Sequence, residues 1–410
     1  MDELLAEIGD QLPNSKHFKL WYCQTKPTKV KPLITTRKNI DSIDSYKIRH
    51  FFQLLDEDDL IVFGIEIFVY LQVYDQYVDE YIFISKCDTI GINESDFKVG
   101  SIISKILKYL INYNINQYKI KKSRDIKTPS LGMNHQTGYI LDILLKRLKN
   151  QEIVEYKKTR NLNSIEYIKL PERVNVKLTL FTRASNQYLY PHSSKNRYKH
   201  LINGGQLLKW WIRVIDDTIN QDWNKTLLIP GGDTSHYLLP GWKNGHIFNQ
   251  YPNLSAVYSI PLLPDDPKGR FLEHLVVENR YNKVNIEQFY FELGYRQEFR
   301  LGDIVGLIGC ETSDVNQVNL DNFHLISLKN YKLLINEIKS TSCNNIQDLK
   351  NLVKVKIPEI NNKFNSKINL YDVVGKKIAS QSTHKQSVPI NKPVNNLTGL
   401  IKRKKVKVTK

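Results

Sequence analysis

The sequence predicts an α/β protein, because long β-branched runs and amphipathic helical patterns follow one another along the chain. Residues 61–74 are rich in β-branched and aromatic residues, which indicates a long strand buried on both faces. A short polar stretch separates them from residues 81–86, the predicted hairpin partner. A helix is predicted next from apolar residues at helical spacing, namely Ile102, Ile103, Ile106, Leu107, Leu110 and Ile111.

The remaining elements follow in chain order. Asp88 and Gly91 mark a turn after the second strand. The lysine-rich residues 119–136 predict a mobile basic loop. Beyond that loop the patterns predict a helix over 139–148, a strand over 174–181 and a further helix within 201–223, and the signals weaken after about residue 300.

The chain is strongly basic, since its 410 residues carry a formal net charge of +17. Such a balance indicates an anionic partner or ligand: nucleic acid, a phosphate-rich cofactor or an assembly that carries nucleic acid. Residues 376–410 hold ten basic residues and no acid, which predicts a flexible tail for nuclear localisation or polyanion binding.

No apolar run approaches the length of a membrane helix. Four scattered cysteines disfavour a zinc site and indicate a reducing compartment.

The motif Pro264-Asp265-Asp266-Pro267-Lys268 places two carboxylates and a lysine at a predicted helix start. Asp266 is predicted to be the N-cap and Pro267 the first helical residue, because these residue types are preferred there. A lysine amine must be neutral to act as a nucleophile, which costs roughly 4–5 kcal/mol at pH 7. A carboxylate can accept its proton, and an apolar aromatic channel can lower its pKa.

Residues 181–200 combine a strand end with hydroxyl groups and cations, and they lead into a helix with a predicted capping box of Asn203 and Gln206. Such a helix start offers free backbone N–H groups to phosphate. A solvated basic loop is the alternative interpretation. The cations that would add formal charge are Arg183, Lys195, Arg197, Lys199 and His200.

Two tryptophans follow on the same helix. Adjacent helical residues point about 100° apart, so the pattern places Trp211 inside and Trp210 on the polar face. A tryptophan on a polar face would cover a flat ligand or another chain, whereas a core position is the commoner use of the residue. The chain contains no Gly-x-Gly-x-x-Gly, P-loop, Gly-x-Ser-x-Gly or Arg-x-x-Gly-x-Gly/Ala motif, which disfavours classical nucleotide-binding and hydrolase functions.

These motifs together resemble the fungal histone H3 acetyltransferases that modify lysine fifty-six. The resemblance runs from about residue 50 to about residue 300, with separated motifs in the same order and spacing. They are Phe51-Phe52, Ser85-Lys86-Cys87-Asp88-Thr89, Phe181-Thr182-Arg183, Gln187-Tyr188-Leu189, Ser193-Ser194-Lys195-Asn196, Lys199-His200, Asn203-Gly204, Lys209-Trp210-Trp211 and Pro264-Asp265-Asp266-Pro267-Lys268.

The resemblance implies a CBP-like histone acetyltransferase fold, in which helices flank a central mixed β-sheet in a single large catalytic domain. It implies acetyl-CoA as co-substrate and no metal. Asp266 is the implied catalytic carboxylate, and Asp265, Tyr188 and Trp211 are implied to line the channel for the substrate lysine. The implied acetyl-CoA contacts are Cys87, Asp88, Thr89, Phe97, Lys98, Val99, Gly100, Ser101, Phe181, Ser185, His200, Leu201, Ile202 and Trp210.

Lys268 resembles a buried lysine that this family acetylates on itself, with Asp88 near it. A buried charge is costly unless well paired, and acetylation would remove it. An aspartate that caps a helix is stabilised as a carboxylate, so Asp266 would accept a proton poorly and the aromatic channel would share in deprotonation. Residues 184–186 and His192 depart from the family pattern, which puts individual cofactor contacts there in question.

The implied activity is that of a nuclear protein-lysine acetyltransferase acting on histone H3 with H4, at lysine fifty-six and also at N-terminal tail lysines. Its implied setting is replication-coupled chromatin assembly and the DNA-damage response. Histone chaperones of the anti-silencing-function and nucleosome-assembly-protein types are the implied partners, and direct DNA binding is left open. Direct transfer is expected, with a small opening for a covalent step at Cys87.

The catalytic domain is predicted over residues 1–345, followed over 346–410 by a weakly structured region with the basic tail. Two other function classes stay open. A non-catalytic basic scaffold that binds a chaperone or nucleic acid would explain the charge but not the carboxylate pair. A small-molecule acyltransferase would not need residues 376–410.

Overall fold

A computed structural model describes residues 1–34, 43–122, 167–300, 303–319, 324–367 and 369–378. The described strands are β1 His17–Thr25, β2 Thr28–Val30, β3 Asp44–Leu55, β4 Ile61–Val73, β5 Tyr77–Thr89, β6 Arg173–Thr182, β7 Asn224–Leu228, β8 Trp242–Asn244, β9 Gly306–Thr312, β10 Leu325–Ile326 and β11 Asn369–Val374. The described α-helices are α1 Asp2–Gly9, α2 Val99–Ile111, α3 Gly204–Asp216, α4 Pro267–Val277, α5 Ile286–Leu293, α6 Gln297–Arg300, α7 Leu328–Ser340, α8 Ile346–Asn351 and α9 Ile357–Lys363. Leu352–Lys356, between α8 and α9, form a π-helical turn.

The strands form one mixed sheet, as predicted. Their order is β10-β1-β3-β4-β5-β6-β9-β7-β8, with β11 also beside β1 and β2 beside β3. The predicted hairpin of β4 and β5 is confirmed, since the two strands pair antiparallel along their length. The β5–β6 pair is parallel, which requires a crossover connection, and α2 lies in it.

Helices cover both faces of the sheet, as predicted. On β3 and β4, one set of alternating side chains, such as Ile48 and Ile65, belongs to the main core under α1, α2 and α3. The opposite side chains join two other apolar clusters. One includes residues of α4 and α5, and the other includes residues of α7, α8 and α9. Along β4, Glu66 lies between the two clusters, and Lys47 and Arg49 on β3 pair with Tyr70 and Phe68 of the cluster under α4 and α5.

The region after residue 345 is folded further than the sequence predicted. It contains α8 and α9, and β11 pairs antiparallel with β1 from Asn369 to Val374. Leu349, Leu352 and Ile357 are buried in the cluster under α7, which explains why this segment orders. The compact unit extends to Lys377, whose N–H donates to the Leu12 carbonyl.

Several predicted segments lie outside the described residues. They are the basic loop beyond residue 122, the helix expected over 139–148 and the tail beyond residue 378. In the part of the chain that is described, no helix is long and apolar enough to cross a bilayer. Within the same ranges, no three histidine, cysteine or carboxylate side chains gather as a metal site would require.

Candidate active site

Asp266 caps α4, as predicted. Its backbone is extended, with φ −93° and ψ 125°, and its Oδ1 accepts a 2.9 Å hydrogen bond from the Lys268 N–H. Pro267 is the first residue of α4, where its missing N–H leaves no hydrogen bond unmade. Cap and proline together therefore fix the start of the helix and the position of both functional side chains.

Asp266 and Lys268 also form a buried ion pair. Lys268 Nζ donates to Oδ2 of Asp266 through a short contact, and each side chain is only 1% exposed. Removing one partner of such a pair leaves an uncompensated charge in the interior. Because both carboxylate oxygens already accept from Lys268, Asp266 is poorly placed to take a proton from a second amine while Lys268 is charged.

Asp265 points the other way. It adopts a left-handed backbone conformation with φ 58°, which aspartate tolerates better than most residues. Its side chain is 74% exposed and lies 3.5 Å from Lys86 Nζ. Lys86 directly precedes the predicted cofactor residues 87–89, so this ion pair joins the turn before α4 to the end of β5.

Asp88 organises a different part of the site from the one predicted. Its Oδ2 accepts from the backbone N–H groups of Tyr188, Leu189 and Tyr190, at 2.7, 3.0 and 3.3 Å. Its Oδ1 forms a short ion pair with Lys199, and the two side chains are 6% and 4% exposed. Both carboxylate oxygens of Asp88 are therefore occupied, by Lys199 and by the 188–190 loop, and the expectation that Asp88 lies near Lys268 stays a prediction.

The predicted channel residues occupy two different environments. Tyr188 is 40% exposed, and its hydroxyl donates to the Arg183 carbonyl. Trp211 is 5% exposed and belongs to the main core, which confirms that its helix turns it inward. Their role in lining a substrate channel stays a prediction.

Two predicted cofactor residues meet between α2 and α3. Gly100, in the first turn of α2, lies against Trp210, since a Cβ at Gly100 would come within 3.3 Å of the indole Nε1. Lys98 is the N-cap of α2 without a side-chain hydrogen bond, and the first turn holds no acid. An uncapped helix start of this kind suits a phosphate group.

The start of α3 is less available to phosphate than the sequence indicated. The predicted capping box is present, with Gln206 N–H donating to Asn203 Oδ1 at 2.9 Å. The Gly204 N–H, however, donates to the carboxylate of Asp303 at 2.6 Å. Asp303 comes about a hundred positions later in the chain, so no local pattern revealed it. Lys199, also expected to meet phosphate, is committed to Asp88.

The other predicted cofactor residues lie on loops and a strand. Leu201 and Ile202 are 54% and 40% exposed, which leaves apolar surface beside the exposed His200. Ser185 is exposed and donates its hydroxyl to a nearby carbonyl. Phe181, at the end of β6, packs against the cluster under α4 and α5. These positions are compatible with cofactor binding, and their contacts stay predictions.

Cys87 is a poor nucleophile in this setting. Burial raises the pKa of its thiol well above the ordinary value, and the neighbouring Asp88 carboxylate raises it further. Little thiolate forms at pH 7 under these conditions. The arrangement therefore favours direct attack by the substrate amine over a cysteine-linked intermediate.

A cavity of about 150 Å³ borders the predicted cofactor segment at Phe97. Its lining is rich in carboxylates, which repel phosphate groups. This cavity is therefore not the site for a CoA molecule. The lining acids are Asp56, Glu57, Asp58, Glu94 and Asp96.

A group of cations next to Asp265 was missed by the sequence analysis. We call it the cationic cleft, formed by Lys47, Arg49, Lys86 and Lys339. Lys47 Nζ lies over the Phe68 ring, 3.6 Å from its centroid, and the residue is 8% exposed. Alternation along β3 could have placed Lys47 and Arg49 on one face. Nothing in the sequence connects them with Lys339, which comes from α7.

Replacing Lys47 by methionine is expected to stabilise the protein by roughly 1–3 kcal/mol at pH 6. Burial and, to a lesser extent, the nearby Arg49 lower the pKa of Lys47 to about 7, against the opposing fields of Glu66 and Asp265. Below that pH the amine is charged in both states, so folding bears the full cost of burying it. As the pH rises from about 7 toward the ordinary lysine value, folding releases the proton and the cost falls.

Urea unfolding of the Lys47→Met variant and the unchanged protein at pH 6 and pH 9 would measure this effect. The gain should shrink at pH 9. A gain that is equal at both pH values, or a loss at pH 6, would contradict the expected cost of the buried charge.

Comparison with known proteins gives one consistent family. A family model described as "Histone acetyltransferase KAT11-type domain" matches residues 3–402. Histone acetyltransferase RTT109 of Candida albicans is 41% identical over 364 residues, which cover 84% of this chain and 97% of the relative. Histone acetyltransferase rtt109 of Schizosaccharomyces pombe is 35% identical over 153 residues, 32% of this chain and 40% of that relative. A crystal structure of Rtt109 from Aspergillus fumigatus aligns with a TM-score of 0.66 at 20% identity, covering 92% of this chain and 99% of that chain, and supports the fold alone.

Proposed function

Since the chain belongs to the KAT11-type histone acetyltransferases, we propose that it transfers acetyl groups from acetyl-CoA to histone H3, with lysine fifty-six as principal target and N-terminal tail lysines as further ones. The observation that carries the proposal is the 41% identity to RTT109 of Candida albicans along nearly the whole length of that relative. The proposed setting is the nucleus, in replication-coupled chromatin assembly and the response to DNA damage. The proposed partners are histone H4 with H3 and chaperones of the anti-silencing-function and nucleosome-assembly-protein types.

Acetyl-CoA is the co-substrate of this class of enzyme, and the described residues fit it. The uncapped start of α2 offers N–H groups to its phosphates, and Trp210 closes the gap between α2 and α3 beside them. Exposed Leu201 and Ile202 offer apolar surface to the less polar part of the molecule. In the proposed reaction the neutral substrate amine attacks the acetyl carbonyl carbon, the carbon–sulfur bond breaks, and the CoA thiolate leaves.

Asp266 is proposed to orient the substrate amine and to accept its proton, directly or through water. The charged state of Lys268 limits this role, because both carboxylate oxygens accept from it. Acetylating Lys268 would replace the ammonium by a neutral amide N–H. Asp266 would keep a hydrogen bond but lose the adjacent positive charge, so its affinity for a proton would rise. Self-acetylation is therefore proposed to convert Asp266 into a more effective base.

Purified active enzyme is expected to carry an acetyl group on Lys268. The buried amine is costly to keep charged, and the acetyl donor is the enzyme's own co-substrate. Intact mass measurement and peptide mapping would detect it. The Asp266→Asn variant is the control and should carry less acetyl at Lys268. Fully active enzyme with unmodified Lys268 would contradict the prediction.

Isotope-labelled acetyl-CoA incubated with H3–H4, with and without a chaperone, tests the proposed function. Label is expected in the H3 peptide that contains lysine fifty-six, and the chaperone should increase it. A non-catalytic scaffold would transfer nothing. A small-molecule acyltransferase would label free amines but not histone, and it would be unaffected by removing the basic tail. Because Lys376 and Lys377 hydrogen-bond to Gly9 and Leu12, that truncation should begin after residue 378.

A further inference from the structure

The cationic cleft holds more positive charge than its own carboxylates neutralise. Lys47 and Arg49 on β3, Glu66 on β4 and Lys86 on β5 occupy the same sheet face, and Glu66 pairs across the strands with Lys86. Lys339 joins the group from α7, whose Tyr331 hydroxyl donates to Glu66 at 2.7 Å. Partial burial lowers the pKa of Lys339 and the nearby Lys86 ammonium lowers it further, while Glu66 and Asp265 oppose that shift. Four cations thus share two carboxylates.

Those two carboxylates are already engaged. Glu66 is 5% exposed, and its oxygens accept from the hydroxyls of Tyr331 at 2.7 Å and Ser85 at 3.3 Å. Asp265 lies 3.5 Å from Lys86. Among the residues that the structure describes, no carboxylate lies within 4 Å of the charged groups of Lys47, Arg49 or Lys339.

The unpaired charges of buried Lys47 and half-buried Arg49 are costly, whereas Lys339 is exposed, and an incoming anion would relieve the cost at the first two. The aromatic rings of Phe68 and Tyr70, 3.6 and 4.9 Å from Lys47 Nζ, compensate only part of it. Among the described residues, the Arg49 guanidinium makes one long hydrogen bond, 3.4 Å to Thr28 Oγ1, which leaves most of its donors available to a ligand there. A carboxylate could accept from this guanidinium in the two-point geometry that arginine favours.

The position of the cleft limits which anion it meets. It adjoins Asp265, the residue before Asp266, on the sheet face opposite α2 and α3. The predicted acetyl-CoA contacts at the start of α2 lie on the other face. Because the adjoining Asp265 is predicted to line the channel for the substrate lysine, the protein substrate is favoured over the cofactor as the source of the anion.

We propose that the cationic cleft binds an acidic side chain of the substrate close to the target lysine in sequence, so that the enzyme selects lysines with a nearby aspartate or glutamate. The inference rests on the proposed function and narrows it to a substrate class. The cleft would recognise the carboxylate through Arg49 and Lys339, and Lys47 would add to the positive field when its buried amine is protonated.

A library of single-lysine peptides tests this inference with the full-length enzyme. Each peptide carries glutamate or glutamine at one position near the lysine, and initial rates are measured with acetyl-CoA. The unchanged enzyme is expected to prefer glutamate at one or two positions by about tenfold in kcat/KM. The Lys339→Glu variant should lose the preference for glutamate and should instead favour peptides with lysine at that position. The Arg49→Gln variant should show a weaker preference for glutamate. KM for acetyl-CoA should be unchanged in both variants.

Lys332→Glu is the matched control, because it makes the same charge change on the exposed surface of α7, two turns or about 10 Å from Lys339. This variant should keep the preference for glutamate. Three results would overturn the inference: no preference in the unchanged enzyme, equal loss in the control, or peptides that stay unmodified while H3–H4 is acetylated. Failure to acetylate H3–H4 in a parallel reaction would instead contradict the proposed function.

Discussion

Replacing Asp266 by asparagine is expected to lower kcat for histone acetylation by roughly 10²–10⁴-fold, the usual contribution of a positioned acid or base. Asparagine can still cap α4, because its side-chain oxygen accepts from the Lys268 N–H as aspartate does. It cannot take a proton from the substrate amine. Steady-state kinetics at several pH values would measure the loss, and KM for acetyl-CoA should change little. An unchanged rate and pH profile would exclude a proton role for Asp266.

The same substitution also removes the partner of the buried Lys268 ammonium. This loss of stability must be distinguished from the direct effect on the rate. Leaving Lys268 unpaired is expected to cost about 3–5 kcal/mol of unfolding free energy. The double variant Asp266→Asn with Lys268→Gln removes both charges and should recover most of that stability. If the double variant is stable yet still slow, the rate effect belongs to the carboxylate. If activity returns with stability, Asp266 has a structural role only.

Much of the fold could be predicted because the features concerned depend on residues close together in the sequence. The cap at Asp266, the capping box at Asn203 and the β4–β5 hairpin each involve neighbours in the chain, and all are confirmed. The family resemblance drawn from separated motifs is also confirmed. The segment after residue 345 was misjudged because its order comes from burial beneath α7 and from pairing with β1, which are tertiary effects.

The site could be predicted where a single residue type determines the local geometry. It could not be predicted where residues from distant segments compete to pair with the same group. Asp303 occupies the start of α3, and Lys199 turns from phosphate binding to pairing with Asp88. The cationic cleft combines β3, β5 and α7, whose proximity no spacing along the chain could indicate. Each of these outcomes depends on which opposite charge lies nearest in the folded protein, and composition alone does not contain that information.

Replacing Asp88 by asparagine is expected to destabilise the protein by about 3–5 kcal/mol and to loosen the loop at residues 188–190. The Lys199 side chain, only 4% exposed, would stay charged with no carboxylate to pair with it. The three backbone N–H groups that donate hydrogen bonds to Oδ2 would lose their charged acceptor. Urea unfolding and hydrogen exchange of the Tyr188–Tyr190 amides would measure both effects. Because Tyr188 is a predicted channel residue, the rate of histone acetylation should fall as well.

Asp216→Asn provides the matched control for this prediction. Asp216 also pairs with a buried lysine, 2.7 Å from Lys225 Nζ, but it lies at the far end of α3, where its carboxylate also accepts from Trp242 Nε1. The Asp216→Asn substitution should lower the free energy of unfolding without changing the hydrogen exchange of the backbone amides at residues 188–190. Adding Lys199→Met to Asp88→Asn removes the unpaired charge and should restore stability, but it cannot restore a charged acceptor to the loop. Recovery of loop protection in that double variant would contradict this account, because it would show that the unpaired Lys199 charge, and not the loss of a charged acceptor, had loosened the loop.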